Sequence, residues 1–123
     1  MSVKILFVDD SEMTRNIIGA MIEDLGHDIE VAEDGSEALD LLNKDKFDIL
    51  ITDLNMPIMD GYTLIENVRK IKNYINIPIL IITTEKESKD KEKGFEVGAD
   101  YFLVKPVEKE QLSQYIQMCL DKN

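Results

Sequence analysis

Five short apolar runs, VKILFVD, DIEVA, DILITD, PILIIT and YFLVK, each precede a segment of helical character, and this alternation constrains the chain more than any other feature. A strand-then-helix pattern sustained in this way is that of a parallel sheet with helices on its faces. The first, third and fourth runs are apolar at consecutive positions, as strands covered on both faces require. DIEVA alternates instead and is expected nearer an edge. Crossovers between such parallel strands are right-handed.

The helical segments carry their own punctuation. Ser11 is placed to cap a first helix whose Met13, Ile17, Met21 and Leu25 recur every four residues and are expected to form its buried stripe, with Gly26 as the stop. Asp34 or Ser36 caps a second, burying Ala38, Leu39, Leu41 and Leu42. Gly61 allows a turn into a third, Tyr62 to Lys72, packed through Ile65, Val68 and Ile71. The fourth, Ser88 to Val97, is dominated by the run KESKDKEKG and has only Phe95 and Val97 as apolar anchors, so it is expected to be the least firmly held. A last helix, Glu108 to Leu120, packs Leu112, Tyr115, Ile116 and Cys119 on the sheet. No linker, repeat or low-complexity stretch divides the chain, and residues 1–123 are expected to form one domain with no effector domain.

Composition removes several function classes. Fourteen basic against 25 acidic residues give a net charge of −11, which disfavours binding to nucleic acid or to anionic membranes. The apolar runs are far shorter than the roughly 20 residues of a membrane span, so no membrane insertion is expected. A single Cys119 and the lack of a basic-then-apolar leader fit a reducing, cytoplasmic setting.

In an open α/β sheet the ligand site lies at the carboxyl ends of the strands. Those ends hold Asp9 and Asp10, then Asp53 followed by LNMPIMDG, then Thr83 and Thr84, then Lys105 and Pro106. Adjacent carboxylates repel unless a cation or positive site makes use of their charge. Hard carboxylate oxygens suit Mg²⁺, which takes one or two of them together with water and phosphate oxygens. Asp53 has the chemistry of a nucleophile toward phosphorus, Lys105 that of a point charge on a phosphoryl oxygen, and Thr83 that of a hydrogen-bond donor. The isolated His27 reads as a surface loop residue, and Met56 and Met59 as loop packing.

The combination VDD, ITDLNMPIMDG, IITT and GADYFLVKP, in that order, resembles a response-regulator receiver domain over essentially the whole chain. The resemblance implies a flavodoxin-like (βα)5 doubly wound sheet in the order 2-1-3-4-5. It also implies a protein that catalyses only its own phosphorylation and autodephosphorylation. Asp53 would accept phosphate from a histidine kinase, Asp10, Asp53 and the backbone carbonyl of Asn55 would hold Mg²⁺, and Asp9 would assist through water. Lys105 would bridge to the phosphoryl group, while Thr83 and the aromatic Phe102 would form the switch. The face of the fourth helix, fifth strand and fifth helix would be the output surface.

Asn55, two residues after the acceptor, and Glu85, two after the switch threonine, match the pair that sets the phosphate lifetime in stand-alone chemotaxis regulators. Such a chain would be a monomer, phosphorylated by a CheA-like kinase, opposed by a phosphatase and read by a target such as the flagellar motor switch. Three positions depart from the pattern. Thr84 replaces a small residue and is expected to crowd the phosphate pocket and lengthen the lifetime; Phe102 lacks a tyrosine hydroxyl; Val107 replaces phenylalanine. The alternatives are a phosphorelay intermediate and, less well supported, a haloacid-dehalogenase-like Mg²⁺ phosphatase, which needs an Asp-x-Asp pair that neither Asp9 nor Asp53 begins. GxxxxGK[ST] and GxGxxG are both absent, which argues against nucleotide binding.

Overall fold

The computed structural model describes residues 3–122. Five strands, β1 (Lys4–Val8), β2 (Asp28–Ala32), β3 (Ile49–Thr52), β4 (Ile79–Thr83) and β5 (Tyr101–Val104), pair in parallel in the order β2-β1-β3-β4-β5. Five helices alternate with them: α1 (Glu12–Asp24), α2 (Gly35–Lys44), α3 (Gly61–Val68), α4 (Ser88–Val97) and α5 (Lys109–Asp121). This is the doubly wound flavodoxin-like arrangement, with β2 at an edge as its alternating pattern implies.

Strand side chains alternate between two apolar cores. Leu6, Val8, Leu50, Ile79, Ile81 and Phe102 face one side, where they meet Ala38 and Leu42 of α2 and Leu64, Ile65 and Val68 of α3. Ile5, Phe7, Ile49, Ile51, Leu80 and Leu103 face the other, against Ile18 and Ile22 of α1 and Leu112, Ile116 and Cys119 of α5. Burial pushes the Cys119 thiol up to about 12, so it packs as a small apolar side chain. Among the described residues no helix is long and apolar enough to cross a membrane.

Several local expectations hold. Ser11 accepts from the Thr14 amide at 3.2 Å, Asp34 rather than Ser36 caps α2 by accepting from Glu37 N at 2.9 Å, and Gly26 ends the turn after α1 with φ +93°. His27 is a half-buried loop residue whose Nδ1 accepts from Val3 N at 3.3 Å.

Others are corrected. The buried face of α1 runs through Ile18, Gly19 and Ile22; Met13 and Ile17 are 72% and 51% exposed, and only Met21 and Leu25 of the expected stripe pack on the core. Two apolar stripes lie side by side on this helix, and the one beside Gly19, where the helix lies close to Ile29 of β2, is the one that docks. Helix α3 stops at Val68 instead of reaching Lys72, and a short 3-10 turn, Lys72–Tyr74, follows. The early stop frees Arg69. Its guanidinium donates to the carbonyls of Tyr74, Ile75, Ile77 and Gly98 and pairs with Asp100 at 3.1 Å.

Of the two expected anchors of α4, Val97 packs against the core that contains Phe102, whereas Phe95 is 48% exposed. The closest approach is at Gly94, the buried residue of that helix, where a Cβ would stand 2.8 Å from Ile81 Cδ1 and 3.6 Å from the Phe102 ring. No side chain caps the N-terminus of α4. Its C-terminus is firmly held, because Gly98, at φ +123°, receives both Nε and Nη2 of Arg69 on its carbonyl.

A Cβ on Gly98 would need a left-handed backbone and would also lie 3.0 Å from Arg69 Cγ. Gly98→Ala is therefore expected to lower the unfolding free energy by about 1–2 kcal/mol in urea denaturation. Gly26→Ala, where no atom lies within 4 Å, is expected to lose less.

Candidate functional site

The ladder hydrogen bonds continue one residue past the strand ends and set the site residues in register. Asp9 N donates to Ala32 O at 3.1 Å, Asp53 N to Val8 O at 2.9 Å and Lys105 N to Thr83 O at 2.8 Å. Residues far apart in sequence thus stand on one edge because their strands are neighbours.

Lys105 Nζ donates to Asp9 Oδ2 at 2.8 Å and to Asp53 Oδ2 at 2.9 Å. All three side chains are largely out of water, at 17%, 0% and 10% exposure for Lys105, Asp9 and Asp53. Burial by itself would lower the Lys105 pKa, but the two carboxylate hydrogen bonds outweigh it and hold the ammonium above the ordinary lysine value. The second oxygen of Asp9 accepts from Ser11 N at 2.9 Å, and that of Asp53 from Leu54 N at 2.6 Å. Asp10 differs: its carboxylate is exposed and has no protein hydrogen-bond partner among the described residues.

Asp9, Asp10 and Asp53 each offer an oxygen within 4.8 Å of the others. A donor set made only of carboxylate oxygens, with one open to solvent, fits a hard divalent cation such as Mg²⁺, which keeps part of its water shell. These residues are the ones the strand-end reading singles out.

The other expected residues form a second tier. Asn55 and Glu85 are joined by a hydrogen bond from the Asn55 amide to the Glu85 carboxylate, tying the β3–α3 loop to the β4–α4 loop. Glu85 N in turn donates to Thr83 Oγ1 at 3.3 Å, the bond this buried hydroxyl makes in the structure. Thr84 is exposed. Phe102 lies inward in the α4-side core, its ring 6.5 Å from that of Phe95. The Lys105–Pro106 bond is cis.

Three contributors escape a reading of motifs. A Cβ at Gly61 would collide with the Asp53 carbonyl, so this glycine permits close approach of α3 to the site as well as the turn expected of it. The Thr52 hydroxyl donates to that same carbonyl at 2.8 Å. Arg15, in the first turns of α1, reaches back and donates from Nη1 to Asp9 O at 2.7 Å. Its position was its signal, since long helical side chains point toward their own N-terminus.

Comparison with known proteins agrees with this geometry. Residues 5–117 match the family described as "Response regulator receiver domain". The chain is 39% identical over 117 residues to "Chemotaxis protein CheY homolog" of Campylobacter jejuni, covering 94% of this chain and 90% of that one. It is 37% identical to "Probable transcriptional regulator ycf29" of Porphyra purpurea, over 95% of this chain but 56% of the relative. "Sensor histidine kinase RcsC" of Salmonella typhi is 33% identical over 118 residues, and the chain spans 12% of its length. Among solved structures, chemotaxis protein CheY4 of Vibrio cholerae superposes with a TM-score of 0.92 at 39% identity, covering 97% of this chain and 99% of that one.

Without a cation Asp10 contributes only repulsion toward its two neighbours, whereas with one it is a ligand. Asp10→Asn is expected to raise the melting temperature of the metal-free protein by about 2–4 °C and to abolish the rise that millimolar Mg²⁺ gives the wild type. Thermal melts with and without Mg²⁺ read both effects.

Proposed function

This chain belongs to the response regulator receiver family, and from that premise we propose that it acts as a phosphorylation switch in a chemotaxis circuit. As a receiver it accepts a phosphoryl group from a histidine kinase and catalyses no reaction beyond its own phosphorylation and dephosphorylation. The observation that carries the assignment of roles is Lys105 Nζ held between Asp9 and Asp53, with Asp10 open beside them.

In this reading an Asp53 oxygen attacks the phosphorus of a phosphohistidine, the P–N bond breaks, and an acyl phosphate remains on Asp53. Asp10, Asp53 and the Asn55 carbonyl would hold Mg²⁺, which supplies positive charge against the incoming phosphoryl oxygens, and Asp9 would bind through water. Lys105 keeps its bond to Asp9 and turns its other donors to a phosphoryl oxygen. Leu54 N already donates to Asp53 Oδ1 and helps fix the attacking carboxylate.

The switch follows from the second tier. Thr83 gives up its contact with Glu85 N to donate to the phosphoryl group, and the β4–α4 loop shifts with it. Phe102 is already inward, so the change falls on its packing with Phe95 and α4. The smooth contact at Gly94 and the uncapped start of α4 support that helix as the element that moves. A target such as the flagellar motor switch would read the α4–β5–α5 face.

The kinase would be CheA-like and the phosphate lifetime short, as the Asn55–Glu85 pair suggests; exposed Thr84 narrows the pocket less than its size alone implies. A phosphatase partner belongs to the same circuit.

Acetyl phosphate with Mg²⁺ is expected to add one phosphoryl group to the wild type and none to Asp53→Ala, as read by intact mass. Beryllofluoride is expected to shift the amide resonances of Thr83, Phe102 and α4 in the wild type alone. No change in the wild type, or a full change in Asp53→Ala, refutes the mechanism. The phosphorylated protein is expected to decay within minutes or less in Mg²⁺; a lifetime of hours would remove the support for a chemotaxis role.

A further inference from the structure

The carbonyl oxygen of Asp9 belongs to the peptide that joins Asp9 to Asp10, and Arg15 Nη1 donates to it at 2.7 Å. Every other polar group of Asp9 is fixed as well: its amide by Ala32 O, one carboxylate oxygen by Ser11 N and the other by Lys105. Asp10 has no such support for its carboxylate among the described residues. Where that carboxylate stands is therefore set by the orientation of the Asp9–Asp10 peptide, and the side chain that fixes this peptide's oxygen is Arg15.

We propose that Arg15 is a positioning residue of the cation site, holding the Asp9–Asp10 peptide so that the Asp10 carboxylate shares its space with Asp9 and Asp53. This rests on the reading of those three carboxylates as the Mg²⁺ site. Arg15 touches neither the cation nor the phosphoryl group; it acts through the backbone.

Its placement supports this role over that of a surface ion pair. The Arg15 side chain is only 12% exposed, while its one acidic partner, Glu33, is 67% exposed and 3.5 Å away. A pair so open on one side contributes little. The close contact is the one to the peptide oxygen, and a hydrogen bond from a charged donor is among the stronger kinds. The guanidinium stays charged over the whole range in which carboxylates ionise, so it also sets a constant positive charge behind three acids. Without it the oxygen of this peptide loses the side chain that fixes it, and Mg²⁺ must then do more to order Asp10 as it binds.

The test is a Mg²⁺ titration followed by the amide resonances of residues 9, 10 and 53 in the wild type, Arg15→Met and Glu33→Gln. Arg15→Met keeps an apolar stem and is expected to weaken Mg²⁺ binding roughly tenfold, while Glu33→Gln matches the wild type. Wild-type affinity in Arg15→Met overturns the proposal, and so does a loss in Glu33→Gln as large as in Arg15→Met. Should Arg15→Met fail to give a folded amide spectrum, Arg15→Lys decides in its place: weaker binding supports the role and unchanged binding overturns it. Failure of the wild type to bind Mg²⁺ would instead refute the cation site itself.

Discussion

The lysine ammonium shared by Asp9 and Asp53 is the interaction on which the rest of the site depends. A parallel sheet brings the carboxyl ends of β1 and β3 side by side, and here both ends carry an acid that is almost wholly out of water. Two buried like charges at such range are costly without a counterion. Lys105, arriving from β5 across the intervening β4, supplies one positive charge against two negative ones, and burial still holds the Asp9 carboxyl above the ordinary aspartate value. A divalent cation would offset the negative charge that Lys105 leaves uncompensated and would recruit the one acid left outside, Asp10.

That arrangement reaches into the helices. Ser11 donates its amide to Asp9 and accepts from Thr14 N at its hydroxyl, so the residue that starts α1 also holds an acid of the site. Thr52 and Gly61 together fix the environment of the Asp53 carbonyl, the former by donating to it and the latter by leaving room for α3. The loops at this edge are thus tied to the strand ends by hydrogen bonds to backbone as much as by packing.

Much of this was legible in the sequence, for reasons that are local. Runs such as ILIT and ILIIT are apolar at consecutive positions because both faces of β3 and β4 are covered, and acids placed directly after them must stand at strand ends. What escaped was decided at a distance. Met13, Ile17, Ile18 and Ile22 form two adjacent apolar stripes, and nothing within α1 says which meets the sheet. Helix α3 ends at Val68, and the Arg69 side chain beyond it finds carbonyl partners as far as Gly98, a pairing that no periodicity encodes. Phe95 looked like an anchor by its size, yet the closest approach of α4 is at the residue with no side chain, Gly94. Arg15 was marked only by its place in the first turns of α1, since its partner is a peptide oxygen and no motif marks one.

The grip of Arg69 on Gly98 gives α4 the mechanics of a lever. One end of this helix is clamped to α3 and to the chain leading into β4, while the other starts uncapped beside the loop that carries Glu85. Any displacement that leaves the clamp intact is a swing about Gly98. At 1.5 Å of rise per residue the arm of ten residues is about 15 Å long, so a tilt of about 10° carries its free end through between 2 and 3 Å. The same tilt scarcely disturbs the residues at the pivot. Motion would then be largest next to Thr83 and smallest where α4 hands the chain to β5.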